Sequence, residues 1–177
     1  MKTRIQGCSV SHPDKARIRN QRRLITRYSI PDESSLRGVL FLMPMRFRDL
    51  TKRDLELVEK AKDLIGKRKS KRSSVAAVLR TKNNKIFSGV NIEIECSAPC
   101  SICAEYAAVG TMVSEGEEEI ETIVAFAHKN GGRVLPPCGK CRQFISEFGD
   151  PHVIVQVDRK LKKVRLSELY PFPVVSE

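Results

Sequence analysis

No run in this 177-residue chain is long and apolar enough to span a bilayer; the longest, Val39 to Met45, is interrupted by Pro44. No apolar core precedes a small-residue cleavage site near the N-terminus, so no secretory signal is read there. A reducing cytoplasm is therefore the expected compartment, where closely spaced cysteines serve metals or catalysis more often than disulfides. Internal repeats and low-complexity tracts are also missing, and the length suits one domain with an appendage. Histidine is scarce: His12, His128 and His152 are the whole supply, and none stands in a ligand-spaced pair. All three read as surface or turn residues, which leaves the six cysteines as the candidates for metal chemistry.

What the chain does have is lopsided charge. The net charge is +11, and residues 1–72 carry 20 Lys and Arg against 8 Asp and Glu, while residues 73–177 carry 12 against 13. The basicity thus belongs to the N-terminal flank. Charge of this kind attracts anions without reading sequence, so it leaves nucleic acid open as a partner but does not favour it over a solvated basic face. An apolar content of 41% excludes wholesale disorder.

Periodicity divides the chain into a basic extension, residues 1–49, and a folded part, residues 50–177. The extension holds at most one short helix, near Lys15 to Arg27, and residues 36–47 form an apolar segment of undecided type. Thr51 caps a helix in which Leu55, Val58, Ala61, Leu64 and Ile65 recur at helical spacing, with Asp54 in its first turn and Gly66 at its end. Strands follow at Val75 to Leu79 and Lys85 to Val90, joined by a turn at Lys82-Asn83-Asn84. Cys103 to Ser114 is a helix apolar on nearly every face, which places it in an interior. A strand at Glu121 to Ala127, a helix at Cys138 to Phe148 and a strand at His152 to Val157 come next. A last strand near Lys163 to Leu166 leads into a short helical or turn segment ending at Tyr170. Alternating strands and helices predict a mixed sheet covered on both faces.

Two cysteine clusters carry the chemistry: Cys103-Ala104-Glu105 and Pro137-Cys138-Gly139-Lys140-Cys141. Cys103, Cys138 and Cys141 offer three thiolates to one zinc ion, leaving a fourth position for water, as in catalytic sites. Each cluster opens a helix, where free N–H groups favour thiolate, and Cys138 and Cys141 share a face at i and i+3. Glu105, two residues from a ligand, is near enough to move protons without ligating. Spacing alone also permits a closed four-cysteine site built from Cys100, Cys103, Cys138 and Cys141. Arg142 is a candidate to offset the excess negative charge of three thiolates.

These clusters, together with Ser88-Gly89-Val90-Asn91-Ile92-Glu93 and the continuation Arg142-Gln143, resemble the cytidine deaminase family, including blasticidin-S deaminases. The resemblance runs from about Leu50 to Pro171. It implies a three-layer α/β/α sandwich with a mixed five-stranded sheet, a zinc-dependent hydrolase, and a homotetramer with active sites near subunit boundaries. It further implies zinc on Cys103, Cys138 and Cys141, proton transfer by Glu105, and substrate contacts at Asn91, Glu93 and Ala104. The implied reaction is deamination of cytidine or deoxycytidine in pyrimidine salvage. A cytosine nucleoside antibiotic such as blasticidin S is an alternative substrate, and a zinc-stabilised nucleic-acid-binding module is an alternative of another kind. Three departures stand out: Ser70-Lys71-Arg72-Ser73 where the family has Tyr-Ser-x-Phe, Tyr106 where tetrameric members often have arginine, and Val174 where an aromatic is expected. Ser74-Val75-Ala76-Ala77 and Ala107-Ala108-Val109-Gly110-Thr111 resemble the blasticidin-S side of the family.

Overall fold

The structure is a computed structural model that describes residues 45–174, apart from 69 and 130. The helix expected near Lys15 to Arg27, and all of the 36–47 segment except its last three residues, lie outside that range. Helix α1 spans Lys52–Gly66 and opens on a capping box, in which Asp54 N donates to Thr51 Oγ1 and Thr51 N donates to Asp54 Oδ2. Its buried stripe is Asp54, Leu57, Val58, Ala61 and Ile65. Leu55, expected on that stripe, is 46% exposed. The helix takes this phase because the Asp54 carboxylate is drawn inward to two cations, Arg80 and Lys163.

The sheet contains β1 (Val75–Thr81), β2 (Ile86–Val90), β3 (Ile120–Ala127), β4 (Arg133–Leu135), β5 (His152–Val157) and β6 (Lys160–Arg165). Five strands run in the order β2-β1-β3-β5-β6, and the three-residue β4 pairs with β3 off this path. The β3–β5 pair is parallel and all others are antiparallel, so the sheet is mixed. The β1–β2 hairpin turns through Asn84, whose φ of 65° lies in the left-handed region that asparagine tolerates. Arg48 joins the β6 edge by a bridge to Lys163, with N–H···O distances of 2.8 and 2.9 Å.

Strand alternation distributes side chains between two cores. Ala76, Val78, Val124 and Phe126 meet α1 on one face. Ala77, Leu79, Ile123, Ala125 and Val153 meet α2 (Ala104–Ser114) and α3 (Gly139–Ser146) on the other. Three layers result. A short helix, α4 (Leu166–Leu169), follows β6 and packs with the second core through Leu166. The second face is also where β2 and α2 come unusually close. A Cβ on Gly89 would lie 2.6 Å from Ala107 and closer still to Ala108 N.

Candidate active site and metal centre

The sheet's second face brings the first turns of α2 and α3 together. Cys103 is the N-cap of α2, Cys138 is the N-cap of α3, and Cys141 is the third residue of α3. Neither cap cysteine uses its side chain to close the helix end, so both sulfurs are free to turn toward a shared point. The Sγ atoms of Cys103, Cys138 and Cys141 all lie within 4.8 Å of one another. Sulfurs sharing one tetrahedral zinc stand about 4 Å apart, so this set can hold a single ion. Cys100 is excluded from the cluster: it ends a short 3-10 turn, Ala98–Cys100, and its sulfur accepts a hydrogen bond from Ser97 Oγ at 3.1 Å. The arrangement is the three-sulfur one.

The chemistry of the donor set supports a dication. Burial pushes the Cys141 thiol well above its ordinary range, and nearby Glu105 and the two other sulfurs add to the shift. Burial also raises Cys103. For Cys138, burial is outweighed by hydrogen bonding from the Cys141 backbone and thiol and from Cys103, and the thiol is drawn down. Three crowded thiols cannot all ionise unaided, and a metal ion supplies the missing positive charge.

Glu105 sits in the first turn of α2 and is only 8% exposed. Burial raises its carboxyl above the usual carboxylate range, against the opposing pull of its own backbone N–H and the Cys141 thiol. A carboxyl in that environment can hold and return a proton. Glu105, Ala104, Cys103 and Cys138 line one end of a cavity of about 260 Å³. Asn91 and Glu93 line it as well, directly after strand β2.

The polar pair is more ordered than its position after a strand suggests. Asn91 Oδ1 accepts from Ser74 N and Val75 N, both at 2.8 Å, and Asn91 Nδ2 donates to Glu93 Oε1 at 3.0 Å. Ser74 Oγ donates to the same Glu93 oxygen at 2.8 Å. These two bonds, with the nearby Lys129 charge, hold the Glu93 carboxyl below its ordinary value. Asn91 thus braces Glu93 against the start of β1, and both residues line the cavity. Nothing in the sequence signals a site role for Ser74 or the presence of β4, although β4 delivers Leu135 and the adjoining Pro136 to the cavity wall. The serine's role depends on a partner 19 residues away, and a three-residue strand carries no periodicity.

Arg142 makes its hydrogen bonds to backbone carbonyls rather than to the sulfurs. Its Nε donates to Pro137 O at 2.9 Å and its Nη1 to Leu169 O at 3.0 Å, so the guanidinium ties backbone segments together. Tyr106 turns from α2 toward α3 and stacks on Phe144, with ring centroids 3.9 Å apart and planes 9° apart.

Residues 51–157 match the family described as the cytidine and deoxycytidylate deaminase zinc-binding region. The chain is 36% identical over 135 residues to the blasticidin-S deaminase of Bacillus cereus, covering 72% of this chain and 96% of that one. It is 43% identical over 98 residues to a probable cytidine deaminase of Dictyostelium discoideum, covering 55% and 65%. Among solved structures, the 1.6 Å crystal structure of cytidine deaminase from Burkholderia pseudomallei superposes with a TM-score of 0.58 at 25% identity, over 71% of this chain and 100% of that chain.

Proposed function

Because the chain belongs to the cytidine and deoxycytidylate deaminase family, we propose that it is a zinc-dependent aminohydrolase converting a cytosine nucleoside to the uracil nucleoside and ammonia. The observation that carries this reading is the buried Glu105 carboxyl beside three converging cysteine sulfurs at one end of the cavity. Cys103, Cys138 and Cys141 would hold the zinc, which when bound would supply the Lewis acidity that lets water lose a proton near neutral pH. Glu105 accepts a proton from the water as the water oxygen bonds to C4 of the base, and passes that proton to N3. It then takes the remaining proton from the new C4 hydroxyl and gives it to the amine as the C4–N bond breaks, so that C4 keeps the oxygen and ammonia leaves. Ala104, 1% exposed in the cavity wall, limits how the base can lie. Glu93 Oε2 accepts from a sugar hydroxyl, and Asn91 keeps the carboxylate aimed.

A second reading, deamination of a cytosine nucleoside antibiotic, is favoured by the similarity to a blasticidin-S deaminase across nearly its whole length. One panel separates the two. Cytidine, deoxycytidine and blasticidin S are each incubated with the protein, and ammonia release is followed with the fall in cytosine absorbance. Turnover of the simple nucleosides supports the first reading, turnover of blasticidin S alone supports the second, and turnover of none overturns both.

Self-association belongs to the same proposal. Ile92 and Ile102, which border the cavity, are 41% and 43% exposed, and Val113 on α2 is 48% exposed. The homotetramer with the cavity near subunit boundaries rests on the family resemblance, and it would cover such side chains. A cytoplasmic role in pyrimidine salvage, and a domain division at residues 49 and 50, complete the reading. No helix among the described residues is long and apolar enough to cross a membrane.

A further inference from the structure

Helix α3 carries two of the three sulfurs yet is only eight residues long, and just Cys141 and Ile145 are buried in it. A helix of two turns has little stability of its own, so outside contacts must fix its direction. Its exposed side meets the segment that follows α4. Gln143, two residues after Cys141, makes three of its four amide hydrogen bonds there. Gln143 Oε1 accepts from Val174 N at 2.7 Å and from the Tyr170 hydroxyl at 3.1 Å. Gln143 Nε2 donates to Val174 O at 2.9 Å and to Glu147 Oε1 at 3.1 Å. Four bonds saturate a primary amide: a glutamate could not donate, and an asparagine would fall short.

The neighbouring residue acts in the same direction. Arg142 bridges Pro137 O, just before the first ligand of α3, to Leu169 O at the end of α4. Apolar packing does not hold the tail down, since Phe172 is 88% exposed and Val174 72% exposed. Among the described residues, the polar clasp at Gln143 is the attachment of Val174.

We infer that segment 169–174 is a strut for the metal centre, with Gln143 and Arg142 as positioning residues that fix the helix presenting Cys138 and Cys141. The inference rests on those cysteines being zinc ligands. It assigns the C-terminal segment a part in metal retention, acting through α3 and touching no ligand.

The test removes one N–H group from an exposed position. Val174→Pro deletes the donor that Gln143 Oε1 receives, whereas Val174→Ala keeps it and controls for the side chain. Zinc-loaded full-length protein is mixed with excess chelator and metal release is timed, and the cobalt-thiolate absorption of cobalt-loaded protein is recorded in parallel. Val174→Pro and Gln143→Ala should each release zinc about three to ten times faster than the parent and weaken or shift the cobalt band, while Val174→Ala matches the parent. If Gln143→Ala fails to fold, the two Val174 variants decide alone. Equal release from Val174→Pro and Val174→Ala overturns the strut and leaves the metal centre standing. Failure of the parent protein to retain zinc overturns the metal centre, and the strut with it.

Discussion

Replacing Asp54 with asparagine removes the charge at the centre of the only deeply buried ion network among the described residues. The Asp54 side chain is 1% exposed, and those of Arg80 and Lys163 are 5% and 14% exposed. Arg80 Nη2 donates to Asp54 Oδ1 at 3.1 Å, and Lys163 Nζ donates to Asp54 Oδ2 at 2.6 Å. Burial by itself would raise this carboxyl, but Lys163 and the Thr51 backbone and hydroxyl outweigh it and hold the pKa at about 2 against 3.8. A folded pKa below the unfolded one adds stability above the unfolded value and loses it as pH falls through the folded value. The shift of nearly two units corresponds to about 2 kcal/mol at neutral pH. Asparagine also leaves two cations without their shared anion, and breaking a buried pair costs about 3–5 kcal/mol. Because Arg80 Nε keeps Glu121 at 2.6 Å, the lower end of that range is expected. Urea unfolding of parent and Asp54→Asn, followed by ellipticity because the chain has no Trp, reads the difference at each pH. The gap should be about 3 kcal/mol at pH 7 and narrow by about 1 kcal/mol by pH 3. A gap that stays constant with pH, or one under about 1 kcal/mol at neutrality, refutes the reasoning.

Glu105→Gln should lower kcat by about 10²–10⁴-fold while metal analysis still finds one zinc per chain, and loss of zinc from this variant would make the carboxylate structural. Gly89→Ala should destabilise the fold by at least about 1–3 kcal/mol, because its methyl would meet backbone at Ala107 and Ala108 that cannot swing aside. A melting temperature equal to the parent's would show that β2 and α2 are not in the close contact described.

The legible parts of this molecule are those whose determinants are local. Cys138 and Cys141 share a helix face because of their spacing, and Thr51 and Asp54 cap α1 because they are three residues apart. Distant pairings were hidden. Leu55 fits the helical period as well as Leu57 does, and the phase that buries Leu57 also brings Asp54 to Arg80 and Lys163, which lie 26 and 109 residues away. Arg142 stands beside Cys141 in sequence, yet carbonyl groups of Pro137 and Leu169 accept from its guanidinium. The two Cys-x-x-Cys pairs are equivalent as text. The 3-10 turn that directs Cys100 to Ser97 separates them in space.

Local reading also hides how the two ends of the cavity are kept in register. The sulfur end hangs on the first turns of α2 and α3, and the polar end on the residues after β2. Asn91 is fixed to the start of β1 through Ser74 and Val75, so Glu93 cannot move independently of the sheet. Helix α2 is fixed to β2 where Gly89 lets the backbones meet beside Ala107 and Ala108, one turn past Cys103 and Glu105. One stretch, Gly89-Val90-Asn91, thus touches both systems within three residues. The separation between Glu105 and Glu93 is then tied to strand-on-helix packing, through the bonds that fix Asn91 and Glu93 just after β2. Rigid spacing of that kind favours substrates whose reacting carbon and sugar hydroxyl stand one fixed distance apart, as they do in a nucleoside.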